Sequence, residues 1–223
     1  MAQSRWALGS LAVRVAVVLA CLGLVVGAGL SCSRSAKPGT LTPLDKLLVT
    51  GDEPTKRIPD AQAYRLRIWG KVGKETSLTL EQVMALPAHE SNAPMNCVTG
   101  HTDRAVWRGA LIADVIAAAQ PQPDATFLVF RDDRDFSSSL SMDDVRNGQP
   151  LLAWSVDGQE LPRVQGWPLR VVAPDKLGYK WVKWVTSIEL TNRGYEGNYE
   201  RDGYSLNGNC NEPETESDKH KAK

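Results

Sequence analysis

Gln165-Gly166-Trp167-Pro168-Leu169-Arg170-Val171-Val172-Ala173-Pro174, followed by Gly178-Tyr179-Lys180-Trp181-Val182-Lys183-Trp184, is the stretch from which the rest of the chain is best read. Its centre, Leu169 to Ala173, is a short apolar run of the kind that forms a buried strand. Glycines, an arginine and two lysines flank that strand. A loop of this composition lets backbone N–H groups approach an anion while Arg170, Lys180 and Lys183 add charge-assisted hydrogen bonds. The competing reading is a solvated basic edge with Trp181 and Trp184 packed beneath it.

Outward from this strand the pattern is one of short elements. Tyr64, Leu66 and Ile68 alternate with Arg65 and Arg67, the two-residue period of a half-buried strand. Thr79, with Gln82 three positions on, predicts a capping box opening a short helix that Pro87 stops. Asn92 to Val98 reads as a strand or loop carrying Cys97, and Gly109 leads into an alanine-rich helix over Ala110 to Ala119. Thr126 to Phe130 is a strand, Ser141 with Asp144 caps another helical turn, and Leu151 to Val156 is a strand running into a tight turn at Asp157-Gly158. Ser187 to Leu190 supplies the last strand. Short strands interleaved with short helices predict a mixed α+β domain, because a doubly wound sheet needs longer crossover helices and a Gly-rich first turn.

The 223 residues, 42% of them apolar, suffice for one core. With 26 basic and 26 acidic residues there is no excess field to draw nucleic acid, so any anion site is local. Residues 1–32 read as a signal peptide or membrane anchor: after Arg5 and Arg14, Val15 to Leu30 carries no charge, and Leu11 to Val13 extend it toward the roughly 20 residues a bilayer requires. Cys21 and Cys32 sit where lipid-modified cysteines occur, without a clean processing motif. Residues 33–60 read as a linker, 61–206 as the globular domain and 207–223 as a polar, disordered tail. Only Cys97 and Cys210 lie beyond the anchor, so at most one disulfide is available.

Three histidines, none at metal-ligand spacing, and the lack of a Gly-x-Ser-x-Gly elbow remove zinc enzymes and common hydrolases. The conspicuous thiol is Cys97, in Met95-Asn96-Cys97-Val98-Thr99-Gly100-His101, with Trp107-Arg108-Gly109 beyond it. A helix start nearby, or Arg104 or Arg108, would favour its thiolate; standing alone, it would be an inert small hydrophobe.

The order of these pieces resembles a family. A Cys-Val-x-Gly segment, a Trp-x-Gly, a Leu-Leu-Ala strand, an Asp-Gly hairpin, Gly-x-Pro-Leu-Arg, Gly-Tyr-Lys-x-x-Lys-Trp-Val and Gly203-Tyr204-Ser205 together look like the molybdopterin-binding oxidoreductase domain of the sulfite oxidase family. The similarity is to compact bacterial members akin to the catalytic subunit of the periplasmic protein-methionine-sulfoxide reductase, and it runs from about Tyr64 to Leu206. It implies the mixed α+β fold of that family and a molybdenum-molybdopterin cofactor. Cys97 would be the thiolate on the metal, a soft ligand suited to a redox-active centre. Asn96, Trp107, Arg108, Gly109, Gln165, Arg170, Gly178, Tyr179, Lys180 and Lys183 would hold the cofactor. The reaction implied is transfer of an oxygen atom or an electron pair to or from a small oxo-substrate, with a membrane haem protein or cytochrome as electron partner. The place implied is the bacterial cell envelope, periplasmic or held at the membrane by the N-terminus.

The chain departs from the family pattern in four places. Gln165 stands where histidine is usual, Phe136 where a tyrosine is common, and His101 where an aromatic residue often follows the cysteine. Arg5 and Arg14 are not the paired arginines of relatives exported with their cofactor. These departures motivate a rival reading, a cofactor-free binding module on the same fold at a membrane surface. A thiol-redox protein built on Cys97 lacks a resolving cysteine nearby.

Overall fold

The computed structural model describes residues 40–49 and 60–210. The signal-peptide, anchor and lipid-modification readings, most of the linker and the tail beyond Cys210 lie outside the described residues. In chain order the elements are β1 (Arg65–Gly70), β2 (Thr76–Thr79), α1 (Leu80–Met84), β3 (Ala88–Ser91), β4 (Met95–Asn96), β5 (Thr102–Asp103), β6 (Trp107–Leu111), α2 (Ile112–Ala117), β7 (Phe127–Arg131), β8 (Ser137–Ser141), α3 (Met142–Gly148), β9 (Leu151–Val156), β10 (Gln159–Glu160), β11 (Arg170–Val172), β12 (Ser187–Thr191) and α4 (Asn198–Arg201).

Two sheets enclose the core. The first runs β2-β1-β12-β7-β8, and within it β1 pairs parallel with β12, so the first and last strands of the domain lie side by side. The second runs β10-β9-β6-β3, with β11 also on β9, and β4 and β5 form a separate ribbon. The alternation read at β1 holds: Leu66 and Ile68 are buried and Arg65 and Arg67 exposed. Both predicted capping boxes form, Thr79 with Gln82 and Ser141 with Asp144, each satisfying backbone donors that a helix start leaves orphaned.

The sequence reading fails at residues 107–111, where the predicted helix start is strand β6. Gly109 decides this locally. A Cβ on it would lie 2.2 Å from the Leu152 carbonyl oxygen, so β6 crosses the β9 backbone at a bulge that only glycine permits. The helix α2 is correspondingly shorter than predicted, Ile112–Ala117.

Two stretches at the predicted domain edges are tied to the fold. In the 40–49 segment, Leu47 is buried, the Thr42 N–H donates to the Arg104 carbonyl at 2.8 Å and the Leu48 N–H donates to Asp103 Oδ2 at 2.8 Å. At the other end, Leu177 N–H donates to the Gly208 carbonyl at 2.8 Å and Cys210 N–H to the Asp175 carbonyl at 2.9 Å, so Asn207 to Cys210 are held rather than free as composition suggested. Polarity predicts tail wherever side chains are hydrophilic, whereas these four residues are held by backbone hydrogen bonds and by Asn209 Oδ1, which accepts from Lys176 Nζ at 2.6 Å.

One buried ion pair helps to anchor residues 197–208. Lys180 Nζ donates to Glu200 Oε1 at 2.6 Å, the Leu206 carbonyl at 2.6 Å and the Ser139 carbonyl at 3.1 Å, using all three of its N–H groups. Ser138 Oγ donates to the same Glu200 oxygen at 2.6 Å, and neither charged side chain has appreciable exposure. Burial lowers the Lys180 pKa, and the Glu200 carboxylate opposes that shift. Removing one charge strands the other, at about 3–5 kcal/mol. Lys180→Met should therefore destabilise the domain by that order in urea unfolding, and the Lys180→Met/Glu200→Leu double variant should recover a substantial part. A double variant no better than the single would show that the pair is not the anchor.

Candidate active site

The loop after β4 carries Cys97. Its N–H donates to the His101 carbonyl at 2.8 Å and its carbonyl accepts from Gly100 N–H at 3.0 Å, a tight turn that holds the thiol while Thr99 Oγ1 donates to Sγ at 3.2 Å. No helix begins here, so the helix-start support expected for a thiolate is absent. Cys97 and Cys210 are both free thiols, and Asn96 Nδ2 reaches Cys210 Sγ at 3.5 Å.

Cys97 lines a cavity that also receives Gln165, Arg170, Gly178, Tyr179 and Lys183 from the two halves of the basic stretch. Two local features bring those halves together. Leu177 bridges to Asn96, setting Gly178 against the Cys97 backbone. Gly166 has φ +113°, and a Cβ there would lie 3.0 Å from the Cβ atoms of both Arg170 and Lys183, so this glycine lets the two cationic stems converge.

Arg170 is the electrostatic centre. It is buried, with its guanidinium 4.6 Å over the Trp107 ring; Nη1 donates to the Gln165 carbonyl at 3.0 Å and to Gln165 Oε1 at 3.1 Å, while Nε has no hydrogen-bond partner. Burial brings its pKa down to about 10, partly countered by Asp103. Lys183 comes down to about 8, through burial first and then repulsion from Arg170 and Arg134. Two cations held at such expense in one cavity suit an anionic ligand.

The remaining predicted residues divide. Trp107 lies under Arg170 and supports the site from behind. Arg108 does not reach the cavity: strand alternation turns it outward, where it faces Glu90 at 3.7 Å. Gly109 serves the β6–β9 crossing instead. Lys180 is turned away into its pair with Glu200, and Asn96 Oδ1 accepts from Thr102 Oγ1 at 2.9 Å. His101 is exposed and sits 2.8 Å from Asp103 Oδ1, off the cavity lining.

Of the opposite wall, sequence reasoning singled out Phe136 and missed the rest. Asp132 Oδ1 accepts the N–H groups of Arg134 and Phe136 at 2.7 and 2.8 Å, closing a turn that presents Asp132, Arg134 and Phe136 to the cavity. The signal was the Asp132-to-Asp135 run, a turn composition in which Asp135 takes φ +68°. Burial raises the Asp132 pKa. Tyr199 also lines the cavity, stacked on Tyr179 at 5.4 Å between ring centroids and edge-on to Phe136 at 6.2 Å. Its pKa is raised by burial, and further by Cys97. Leu48, from the 40–49 segment, completes the lining near Gln165.

Lys183 gives this cavity a pH signature. Its folded pKa lies below the ordinary 10.5, so the charged form is penalised in the folded state below about pH 8 and the penalty fades as pH rises through 8 to 10.5. In protein prepared without cofactor, Lys183→Met should be more stable than wild type at pH 7, with the difference shrinking toward pH 10 in thermal unfolding. A pH-independent difference would place the lysine in ordinary solvent.

The family model described as oxidoreductase molybdopterin binding domain matches residues 53–199. An uncharacterized oxidoreductase of Bacillus subtilis, YuiH, is 32% identical over 164 residues, covering 73% of this chain and 81% of that one. The protein-methionine-sulfoxide reductase catalytic subunit MsrP of Gluconobacter oxydans is 30% identical over 145 residues, 57% of this chain and 46% of that one. Among solved structures, the sulfane dehydrogenase SoxCD of Paracoccus pantotrophus superposes with a TM-score of 0.62 at 23% identity, over 71% of this chain and 45% of that one. The chain thus spans most of YuiH and less than half of the other two.

Proposed function

The chain belongs to the oxidoreductase molybdopterin-binding domain family, with its sulfite-oxidase-like fold and molybdenum-molybdopterin cofactor, and from that premise we propose how this enzyme uses its cavity. Cys97 supplies the protein's sulfur ligand to molybdenum. Arg170 and Lys183 bind the anionic end of the pterin, Gly178 lets the loop lie close along it, and Gln165 fixes Arg170 from behind. The observation that carries this reading is the Arg170 Nε, a buried donor without a partner, in a cavity that Cys97 also lines. A phosphate group satisfies that donor and relieves the burial penalty on both cations.

When bound, the cofactor supplies a two-electron couple and an acceptor site for an oxygen atom. The protein's part is orientation and exclusion of water. Phe136, Val98, Tyr179 and Tyr199 give the cavity an aromatic and apolar wall, which suits a small uncharged oxo-substrate, such as an organic sulfoxide, better than an inorganic dianion. MsrP carries protein-methionine-sulfoxide reductase in its name, in keeping with this class. Reduction of a sulfoxide consumes two electrons and two protons and yields the thioether and water. The electrons come from a haem protein or cytochrome, met at the cell envelope to which the N-terminal apolar segment directs the chain.

X-ray absorption at the molybdenum edge tests the ligand assignment. Wild-type protein purified with its cofactor should show one more sulfur neighbour than Cys97→Ala, which should also lose turnover of dimethyl sulfoxide. An unchanged sulfur count would remove Cys97 from the metal. Protein that takes up no molybdenum when produced with ample molybdate would favour a cofactor-free module.

A further inference from the structure

Besides the Arg170 Nε, the lining of the cavity that Cys97 shares includes a phenol, Tyr199, whose hydroxyl is not taken up by the protein's own acceptors among the described residues. Tyr179, the other phenol there, donates to the Ser205 carbonyl at 2.6 Å. The two indoles are committed as well, Trp181 Nε1 to the Lys176 carbonyl at 3.1 Å and Trp184 Nε1 to the Arg163 carbonyl at 2.6 Å. The Tyr199 hydroxyl has no hydrogen-bond partner among the described residues, although its ring is fixed more firmly than most. Tyr179 stacks on it at an interplanar angle of 12°, Tyr204 leans on it at 5.2 Å between centroids, and Phe136 meets it edge-on. Its backbone is held equally well. On one side Asn198 Oδ1 accepts from Ser137 N–H at 2.8 Å, and on the other Glu200 is locked to Lys180. A rigid ring carrying a free O–H is a preorganised donor, of the kind that stabilises charge developing on a substrate oxygen.

We propose that the Tyr199 hydroxyl is a catalytic hydrogen-bond donor to the oxygen of the oxo-substrate. This deepens the oxo-substrate reading above and rests on it. In reduction of a sulfoxide the electron pair enters as the sulfur–oxygen bond breaks, and the oxygen gains negative charge before two protons from solvent complete water. Tyr199 stabilises that charge through its O–H and keeps its own proton, so atoms and electrons balance without it. An ordinary phenol titrates near 10, which keeps the donor available throughout the neutral range.

The test compares wild type with Tyr199→Phe, which preserves the ring and its stacking. At equal molybdenum content, kcat/KM for dimethyl sulfoxide should fall about tenfold to a hundredfold in the variant. A second readout needs no turnover. With tyrosine labelled at 13Cζ, adding dimethyl sulfone, an unreactive S–O compound, should shift one resonance that is missing from the Tyr199→Phe spectrum. A variant within twofold of wild type, or a Tyr199 resonance that the sulfone does not move, overturns the proposal. Protein without molybdenum contradicts the functional reading instead, and the sulfone shift still decides the role of Tyr199.

Discussion

The guanidinium of Arg170 lies 4.6 Å over the Trp107 indole, buried, with neutral oxygens of Gln165 as its hydrogen-bonding acceptors. Its Nη2 faces the sulfur of Met95 at 3.5 Å, and Asp103 acts on it through charge. A cation in such surroundings is tolerated because the ring face, the amide and a nearby carboxylate each offset part of its desolvation, and none of them neutralises it. Much of the local structure follows from keeping it there. Strand β11 sets Arg170 in the second sheet, β6 brings Trp107 beneath it, and the β4–β5 ribbon supplies Met95 and Asp103. The site is thus a product of sheet pairing, with its chemistry presented by the loops that leave the strands.

Where alternation or capping fixed an element, the sequence was sufficient. Tyr64 to Ile68, the Thr79 and Ser141 helix starts and the Leu151 to Val156 strand all appear as read. Strand β8 was invisible for a physical reason. Ser137, Ser138 and Ser139 are all buried, and composition predicts exposed serines. They are buried because Asn198, Glu200 and the Tyr195 carbonyl accept their hydroxyls, partners that come from more than fifty residues away. The β6 strand was hidden similarly, since Trp107 to Leu111 followed by alanines has the apolar density of a helix and only contact with β9 tells otherwise.

The site was legible where chemistry and spacing coincide. Cys97, Gln165, Arg170, Gly178, Tyr179 and Lys183 were each named from sequence and all line one cavity. Lys180 shows the limit. It lies three residues from Lys183 and carries the same charge, yet the local chain turns it toward Glu200. Nothing in the stretch itself separates a lysine that faces a ligand from one that pins a distant segment. Arg108 fails for a simpler reason, because a one-residue change of face follows automatically once its segment is a strand.

Gln165 is the departure that the structure explains best. A histidine at this position would place a titratable, potentially charged ring beside Arg170 and Lys183, which already repel each other. Glutamine avoids that load and remains able to accept from Arg170 through Oε1. Its amide N–H groups are then free for other work, and Nε2 donates to the Leu47 carbonyl at 3.3 Å and the Leu48 carbonyl at 3.5 Å. The 40–49 segment is held from the other side by Asp103, whose carboxylate also bears on Arg170. One neutral side chain therefore links the central cation to the segment whose Leu48 lines the cavity. The amide that fixes Arg170 on its oxygen side thus secures this wall on its nitrogen side, and both ends of the link are neutral.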